Sequence, residues 1–366
     1  MEAHETTPSG KLRARGIGIP FAGTPGRLNA ITDVTGVDVG YTTLIEGEGV
    51  RTGVTAILPR PEQQLTTPVF AGCHSLNGNG ELTGTIWMEE AGRTDGPITI
   101  TNTHSLGIAR DASIKWMVER AGFGEWALPV AGETFDGYLN DINGFHVTEQ
   151  HVLDALDRAA AGSGGPIDEG SVGGGTGMIC YGFKGGSGTS SRVIECAGID
   201  VTVGAFVQAN FGRTPQLTIA GVPVGQILLD EDRAHDDGVD ERGSIIAVAA
   251  TDAPLLPHQL KRLARRIGLG IGRSGAISGH GSGDIFMAFS TANADALHDE
   301  PTVASATFVP NAALDPIFAA VIQAIDEAIV NSMVANDTMH GFEGRTIEAL
   351  PRERVASILR ERGPIV

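Results

Sequence analysis

Short apolar runs of strand length recur along the chain, separated by polar and glycine-rich stretches. They stand at 54–58, 98–100, 193–196, 201–208, 217–219, 244–250 and 284–290. Several are apolar at nearly every position, which predicts strands covered on both faces. Between them lie helical patterns. One begins near His104 and carries Ile108, Ala109, Ala112, Ile114, Trp116 and Met117. A second, at 149–160, sets Val152, Leu153 and Leu156 on one face. A third, at 255–267, repeats Leu256, Leu260, Leu263, Ala264 and Ile267, with Asp252 expected as its cap. The longest runs over 316–334, following Asn311. Grouped strands and paired helices predict a layered α/β protein, helices outside and sheets inside. No internal repeat or long linker divides it, so a single domain is expected.

One segment breaks the pattern. Residues 230–242 read DEDRAHDDGVDER, acidic and without apolar periodicity, and run straight into Gly243, Ser244 and the apolar run that follows. A solvated loop therefore meets the first residue of a buried strand.

Composition narrows the function classes. The 366 residues include 51 glycines, roughly twice the usual share of about 7%, spread without a fixed period. Tight turns and close backbone approaches account for such a distribution. A net charge of −18 and a pI near 4.9 disfavour nucleic acid and anionic membrane surfaces as partners. Cys73, Cys180 and Cys196 form no C-x-x-C and leave an odd count, against a disulfide framework or a zinc site. The polar start lacks a secretion signal, and no apolar run approaches the ~20 residues that span a bilayer. A soluble, cytoplasmic protein is expected. The glycine runs 173–177 and 185–189 do not fit G-x-x-x-x-G-K-[ST], and no H-E-x-x-H occurs, so neither nucleotide, metal nor other cofactor is expected.

The candidate chemistry centres on Gly243–Ser244. A serine after glycine at a loop–strand junction suits attack on the preceding carbonyl, since glycine accepts strained backbone angles. The ester so formed opens with water and leaves a new amino terminus on Ser244. A serine hydroxyl needs a base and an orienting group. His280-Gly281-Ser282-Gly283-Asp284 supplies a hydroxyl and a carboxylate two residues apart, on one face if extended. Asn210, at the end of an apolar strand, offers an amide donor to a developing oxyanion. Residues 131–144 gather Glu133, Tyr138 and further polar groups in a stretch that reads as too polar for a core and too irregular for a helix.

Taken together, and in this order, these stretches resemble the DmpA-type family of L-aminopeptidase/D-esterases and β-peptidyl aminopeptidases. Matching segments begin at Arg15-Gly16-Ile17-Gly18 and include Asn77–Gly84, Thr101–Gly107, Gly173–Met178 and Thr251–Leu256. The resemblance implies a four-layer αββα sandwich, like that of Ntn hydrolases but with different strand connections. It implies cleavage into an α chain, 1–243, and a β chain, 244–366, held as one interleaved domain within a homo-oligomer, with a tetramer of αβ units expected. It implies Ser244 as nucleophile, Ser282 as the serine that orients it and Asp284 as the acidic partner. Asn210 and Tyr138 would serve the oxyanion, and Glu133 would receive the substrate's free amino group. The substrates implied are short peptides, amides or esters with a free amino end. Two other readings stay open at this point: an acyltransferase of the ornithine acetyltransferase type, which uses threonine at the scission point, and an uncleaved binding module.

Overall fold

Strand β11 (Ser244–Thr251) is buried along its whole length because it lies at the centre of two stacked layers. Ile245, Ala247 and Ala249 enter one apolar core, while Ile246, Val248 and Ala250 enter another. The computed structural model in which this is seen describes residues 3–124, 126–234, 243–297 and 302–364.

Nine further strands of the two main sheets and two flanking helix pairs stand around it. One sheet has the order β1 (Asp38–Glu46), β2 (Val50–Leu58), β5 (Ile98–Asn102), β6 (Val130–Thr134). The other has the order β4 (Arg93–Thr94), β3 (Val69–Ser75), β12 (Gly283–Ser290), β11, β10 (Ile199–Asn210), β9 (Gly186–Cys196). A two-stranded ribbon, β7 (Ile179–Cys180) and β8 (Phe183–Lys184), stands beside β10. Helix α1 (Thr85–Ala91) lies at the β3 edge. Helices α2 (Leu106–Glu119) and α3 (Glu149–Ala160) cover the four-stranded sheet through Trp116, Met117, Val152 and Leu156. After the short α4 (Val224–Asp230), helices α5 (Pro257–Arg273) and α6 (Asp315–Val334) cover the six-stranded sheet through Leu260, Leu263, Val321 and Ile325. The result is the expected four-layer αββα sandwich. Each fully buried Ile, Val or Leu in these cores contributes roughly 1.5–3 kcal/mol relative to exposure.

The six-stranded sheet interleaves the two halves of the chain. Strands β11 and β12, both after residue 243, lie between β3 and β10, both before it. A break in the backbone ahead of Ser244 would leave this sheet paired on both sides.

Several expectations need correction. Residues 217–219 form no strand, only an isolated bridge from Ile219 to Val222. Asp252 does not cap α5. Its Oδ1 accepts from the Thr202 N–H at 2.7 Å, and the Gln259 side chain caps the helix start at Leu256 N instead. The start of 131–144 is a fully buried strand, not a stretch outside the core. Strand β9 begins seven residues earlier than its apolar run, because α6 approaches too closely for large side chains. A Cβ on Gly188 would land on the Ala328 carbonyl, and the Ser190 hydroxyl donates to the Ala324 carbonyl at 2.6 Å. Helix α6 is, by length and composition, apolar enough to cross a membrane, contrary to expectation, but most of it is buried against β9, β10 and α5. Its Glu327 is held by Arg15 and Arg192, each at 2.7 Å.

Candidate active site

Asn210 and Ser244 are direct partners in the antiparallel β10–β11 pair, and Ser244 is the direct partner of Gly283 in the parallel β11–β12 pair. Ser244 is in phase with Ile246 and Val248, and Asn210 with Phe206, all facing the core between the sheets. Strand alternation therefore sends both side chains into the inter-sheet space, at the end of the sheet where β11 begins. Ser244 and Asn210 are both buried.

Glycine is required at 243 by this packing. A Cβ there would land on the Asn210 carbonyl oxygen and lie 2.7 Å from Phe211 Cα. The Gly243 carbonyl in turn accepts from the Gly283 N–H at 3.2 Å. The bond ahead of Ser244 is thus clamped between β10 and β12. Residues 235–242, the rest of the acidic segment, lie outside the described residues.

Ser282 and Asp284 come together as expected, with the Ser282 hydroxyl donating to Asp284 Oδ1 at 2.6 Å, both fully buried. Asp284 is in phase with Phe286 and Ala288, which face the helix-side core. The pair therefore lies on the face of the sheet opposite the Ser244 hydroxyl, beside the main chain at Gly243–Ser244.

The Asn210 amide is held at both ends. Its Oδ1 accepts from Ile179 N at 2.8 Å, and its Nδ2 donates to the Phe135 carbonyl at 2.9 Å. Among the described residues its second Nδ2 hydrogen has no acceptor, which leaves it for a ligand. Tyr138 is half-exposed, with Arg345 placed 5.3 Å from its ring centroid, and among the described residues no hydrogen bond joins its hydroxyl to Asn210 or Ser244.

Glu133 is buried on β6, out of phase with Val130, which enters the inter-sheet core, and its carboxylate reaches the segments at Gly80–Glu81 and Thr103. Its Oε1 accepts from Glu81 N at 3.0 Å, and its Oε2 accepts from the Thr103 hydroxyl. Among the described residues no Lys or Arg pairs with it. Burial pushes the Glu133 carboxyl above its usual range, opposed by the Thr103 and Glu81 hydrogen bonds. A buried carboxylate with donors but no cation is suited to receive one.

A loop ties Glu133 to the Ser282–Asp284 pair. Asn79 Nδ2 donates to the Gly281 carbonyl at 2.8 Å, and Asn77 Nδ2 donates to the Ser278 carbonyl at 2.9 Å. A Cβ on Gly80 would lie 3.1 Å from Glu133 Oε1 and 3.3 Å from Gly283 Cα. A cavity of about 630 Å³, lined by His74, Glu89, Lys261, Arg265 and Ile285, lies against the same loop at Gly80–Thr83. Neither Ser244 nor Glu133 lines it. The glycine run at 173–177 threads between the sheets, with Gly174 against Gln208 and the Ile100 carbonyl, which is a packing role.

Thr103, the Phe135 carbonyl and Ile179 N were not singled out from the sequence. Thr103 belonged to a motif already noted, but only the β5–β6 register, which pairs Asn102 with Thr134, brings it beside Glu133.

Peptidase family S58 matches residues 29–347. The chain belongs to this family. Among S58 relatives, the β-peptidyl aminopeptidase BapA of Sphingosinicella microcystinivorans is 53% identical, over 95% of this chain and 92% of its own. That of Sphingosinicella xenopeptidilytica is 43% identical, over 96% and 92%. Of solved structures, the L-aminopeptidase D-Ala-esterase/amidase of Ochrobactrum anthropi superposes with a TM-score of 0.89 at 47% identity. The match covers 97% of this chain and 99% of that one. That protein is described as a prototype for the serine aminopeptidases and a variant among the Ntn hydrolase fold. A Burkholderia sp. β-aminopeptidase gives 0.87 at 46% identity, covering 96% and 99%. This S58 chain is accordingly a hydrolase of the serine aminopeptidase class, with the Ntn-variant fold. The acyltransferase and binding-module readings are not favoured.

Proposed function

We propose that the chain cuts its own backbone between Gly243 and Ser244 and then uses Ser244 to release amino-terminal residues from short peptides, amides or esters. The observation that supports this most directly is the clamped Gly243–Ser244 bond at the start of β11, with Asn210 opposite the serine. In the first step the Ser244 hydroxyl adds to the Gly243 carbonyl, and the Ser244 nitrogen leaves as an amine. Water then opens the ester, giving an α chain of 1–243 and a β chain of 244–366. The interleaved sheet keeps both in place.

The freed amino group of Ser244 is the base of the mature site in this reading. It lies in the plane of the sheet, where Ser282, polarised by Asp284, can hold it while it takes the hydroxyl proton. The substrate's ammonium meets Glu133 in a charge-assisted hydrogen bond. Its carbonyl oxygen, as it gains charge, receives the spare Asn210 Nδ2 hydrogen, with Tyr138 assisting from the rim. The product amine takes the proton, and water releases the acyl group from Ser244.

Intact-mass analysis and amino-terminal sequencing of the purified protein test the first step. Two fragments are expected, the second beginning at Ser244. A single uncut chain with full activity, or a boundary elsewhere, would overturn the reading. The Sphingosinicella relatives are named for β-peptidyl substrates and the Ochrobactrum protein for L-amino acid and D-alanyl ones. Rates on β-alanine, L-alanine and D-alanine p-nitroanilides would rank the three amine geometries.

A further inference from the structure

Asp136 stands one residue beyond Phe135, whose carbonyl aims the Asn210 amide, and three beyond Glu133. It is only 1% exposed, and Asn140 Nδ2 donates to its Oδ1 at 3.1 Å. Thr52 on β2 and Asn102 at the end of β5 complete its polar surround, with Asn102 Nδ2 donating to the Thr52 hydroxyl at 2.9 Å. Asn102 directly precedes Thr103, the partner of Glu133. On another side lies Gly177, where a Cβ would sit 2.8 Å from that of Asp136. Two residues on, Ile179 N holds Asn210 Oδ1. This buried carboxyl therefore lies against all three segments that fix the oxyanion donor and the amine-binding carboxylate.

We propose that Asp136 is a positioning residue for the aminopeptidase reaction, locking the turn after β6 against Asn102 and Gly177 so that the Phe135 carbonyl keeps the Asn210 amide aimed at the substrate. This rests on Asn210 as the oxyanion donor. Charged neighbours are directed elsewhere. Arg51, beside Thr52, turns its guanidinium to the Glu46, Gly47, Val50 and His340 carbonyls. Lys184 on β8 donates to the Met178 and Gly185 carbonyls, Glu133 is engaged with Thr103 and Glu81, and Asp141 lies 3.8 Å from His146. Burial pushes the Asp136 carboxyl up to about 7, against the pull of the nearby Thr52, Asn140 and Asn102 side chains. Among the described residues its Oδ2 has no hydrogen-bond partner, which a neutral acid tolerates far better than a carboxylate. Above neutrality the buried charge must recruit donors, and the turn shifts with them.

The test is steady-state kinetics on L-alanine p-nitroanilide between pH 6 and 9.5, with thermal melts, for wild type, Asp136→Asn, Asn210→Ala and the double variant. Asn keeps the shape but cannot ionise. The kcat of wild type relative to Asp136→Asn is expected to fall about five- to tenfold across that range, with KM unchanged, and this trend is expected to vanish in the Asn210→Ala background. A pH-independent ratio, a change confined to KM, or a trend that persists without Asn210 would overturn the proposal. If Asp136→Asn does not fold, Asn140→Ala tests the same group: losing the donor to Oδ1 disfavours the ionised carboxyl, so the fall of kcat with pH is expected to move to higher pH than in wild type, and an unmoved profile would overturn the proposal. Failure of the underlying reading looks different. Asn210→Ala would then keep the wild-type kcat, and the role of Asp136 would fall with it.

Discussion

Asn210 and Ser244 face each other across β10 and β11, in register and in phase with the residues that fill the inter-sheet core. An amide donor and a hydroxyl are thereby fixed at one end of the β10–β11 pair by backbone pairing, so the geometry exists before any substrate binds. Such preorganisation is what makes an oxyanion donor effective.

Replacing Asn210 by alanine removes that donor while leaving the strand pairing intact. We expect kcat to fall about 10²- to 10³-fold with little change in KM. Kinetics on the processed enzyme check this, and an unchanged kcat would remove Asn210 from the oxyanion site.

Gly243 is in place because a side chain cannot fit. A Cβ would land on the Asn210 carbonyl, so Gly243→Val must push the scissile bond away from β10. Self-cleavage is expected to slow by at least tenfold while the uncut chain still folds. A time course on denaturing gels after rapid purification measures it, and processing at the wild-type rate would contradict the clamp.

Glu133 should govern recognition of the free amine. A charge-assisted hydrogen bond contributes roughly 1.5–3 kcal/mol, so Glu133→Gln is expected to raise KM on the order of 10- to 100-fold. The carboxyl must be ionised to bind an ammonium, and burial raises its pKa. Wild-type KM should therefore climb as pH falls through that raised value, and the Gln variant should show no such climb. Parallel KM–pH curves would count against the assignment.

Lys184 is fully buried, with Nζ donating to the Met178 and Gly185 carbonyls, and burial lowers its pKa to about 7. Its folded value lies below the unfolded one, so its contribution to stability is present above the ordinary lysine pKa and is lost as pH falls toward about 7. Melts at a series of pH values should show wild type losing stability relative to Lys184→Met as pH drops from about 10.5 to about 7. A constant difference would mean that the amine stays charged inside.

Much of this molecule could be read from local pattern. The runs at 54–58, 201–208, 244–250 and 284–290 all lie within strands, and the helix over 149–160 was placed residue for residue. Those strand segments bury apolar side chains on most positions, so composition betrays them, while the helix shows through the spacing of Val152, Ala155, Leu156 and Ala159. Strands β1, β3 and β6 escaped notice. They mix Gly, Thr and polar residues, and in β6 the buried polar groups find their hydrogen bonds on other segments. The S-G-D spacing implied a shared face for Ser282 and Asp284, and their 2.6 Å hydrogen bond agrees.

Order along the chain was thus enough for the layer plan, the serine at the loop–strand junction and the set of candidate groups, because burial period and residue chemistry are local properties. Distance between those groups was not contained there. Glu133 meets Thr103 through β5–β6 register, Asn210 meets Ser244 through β10–β11 register, and Asp284 falls on the far face through a one-residue phase in β12. Pairing register is settled only when both sheets bury their inner faces at once, since a slip of one residue would turn every core side chain outward.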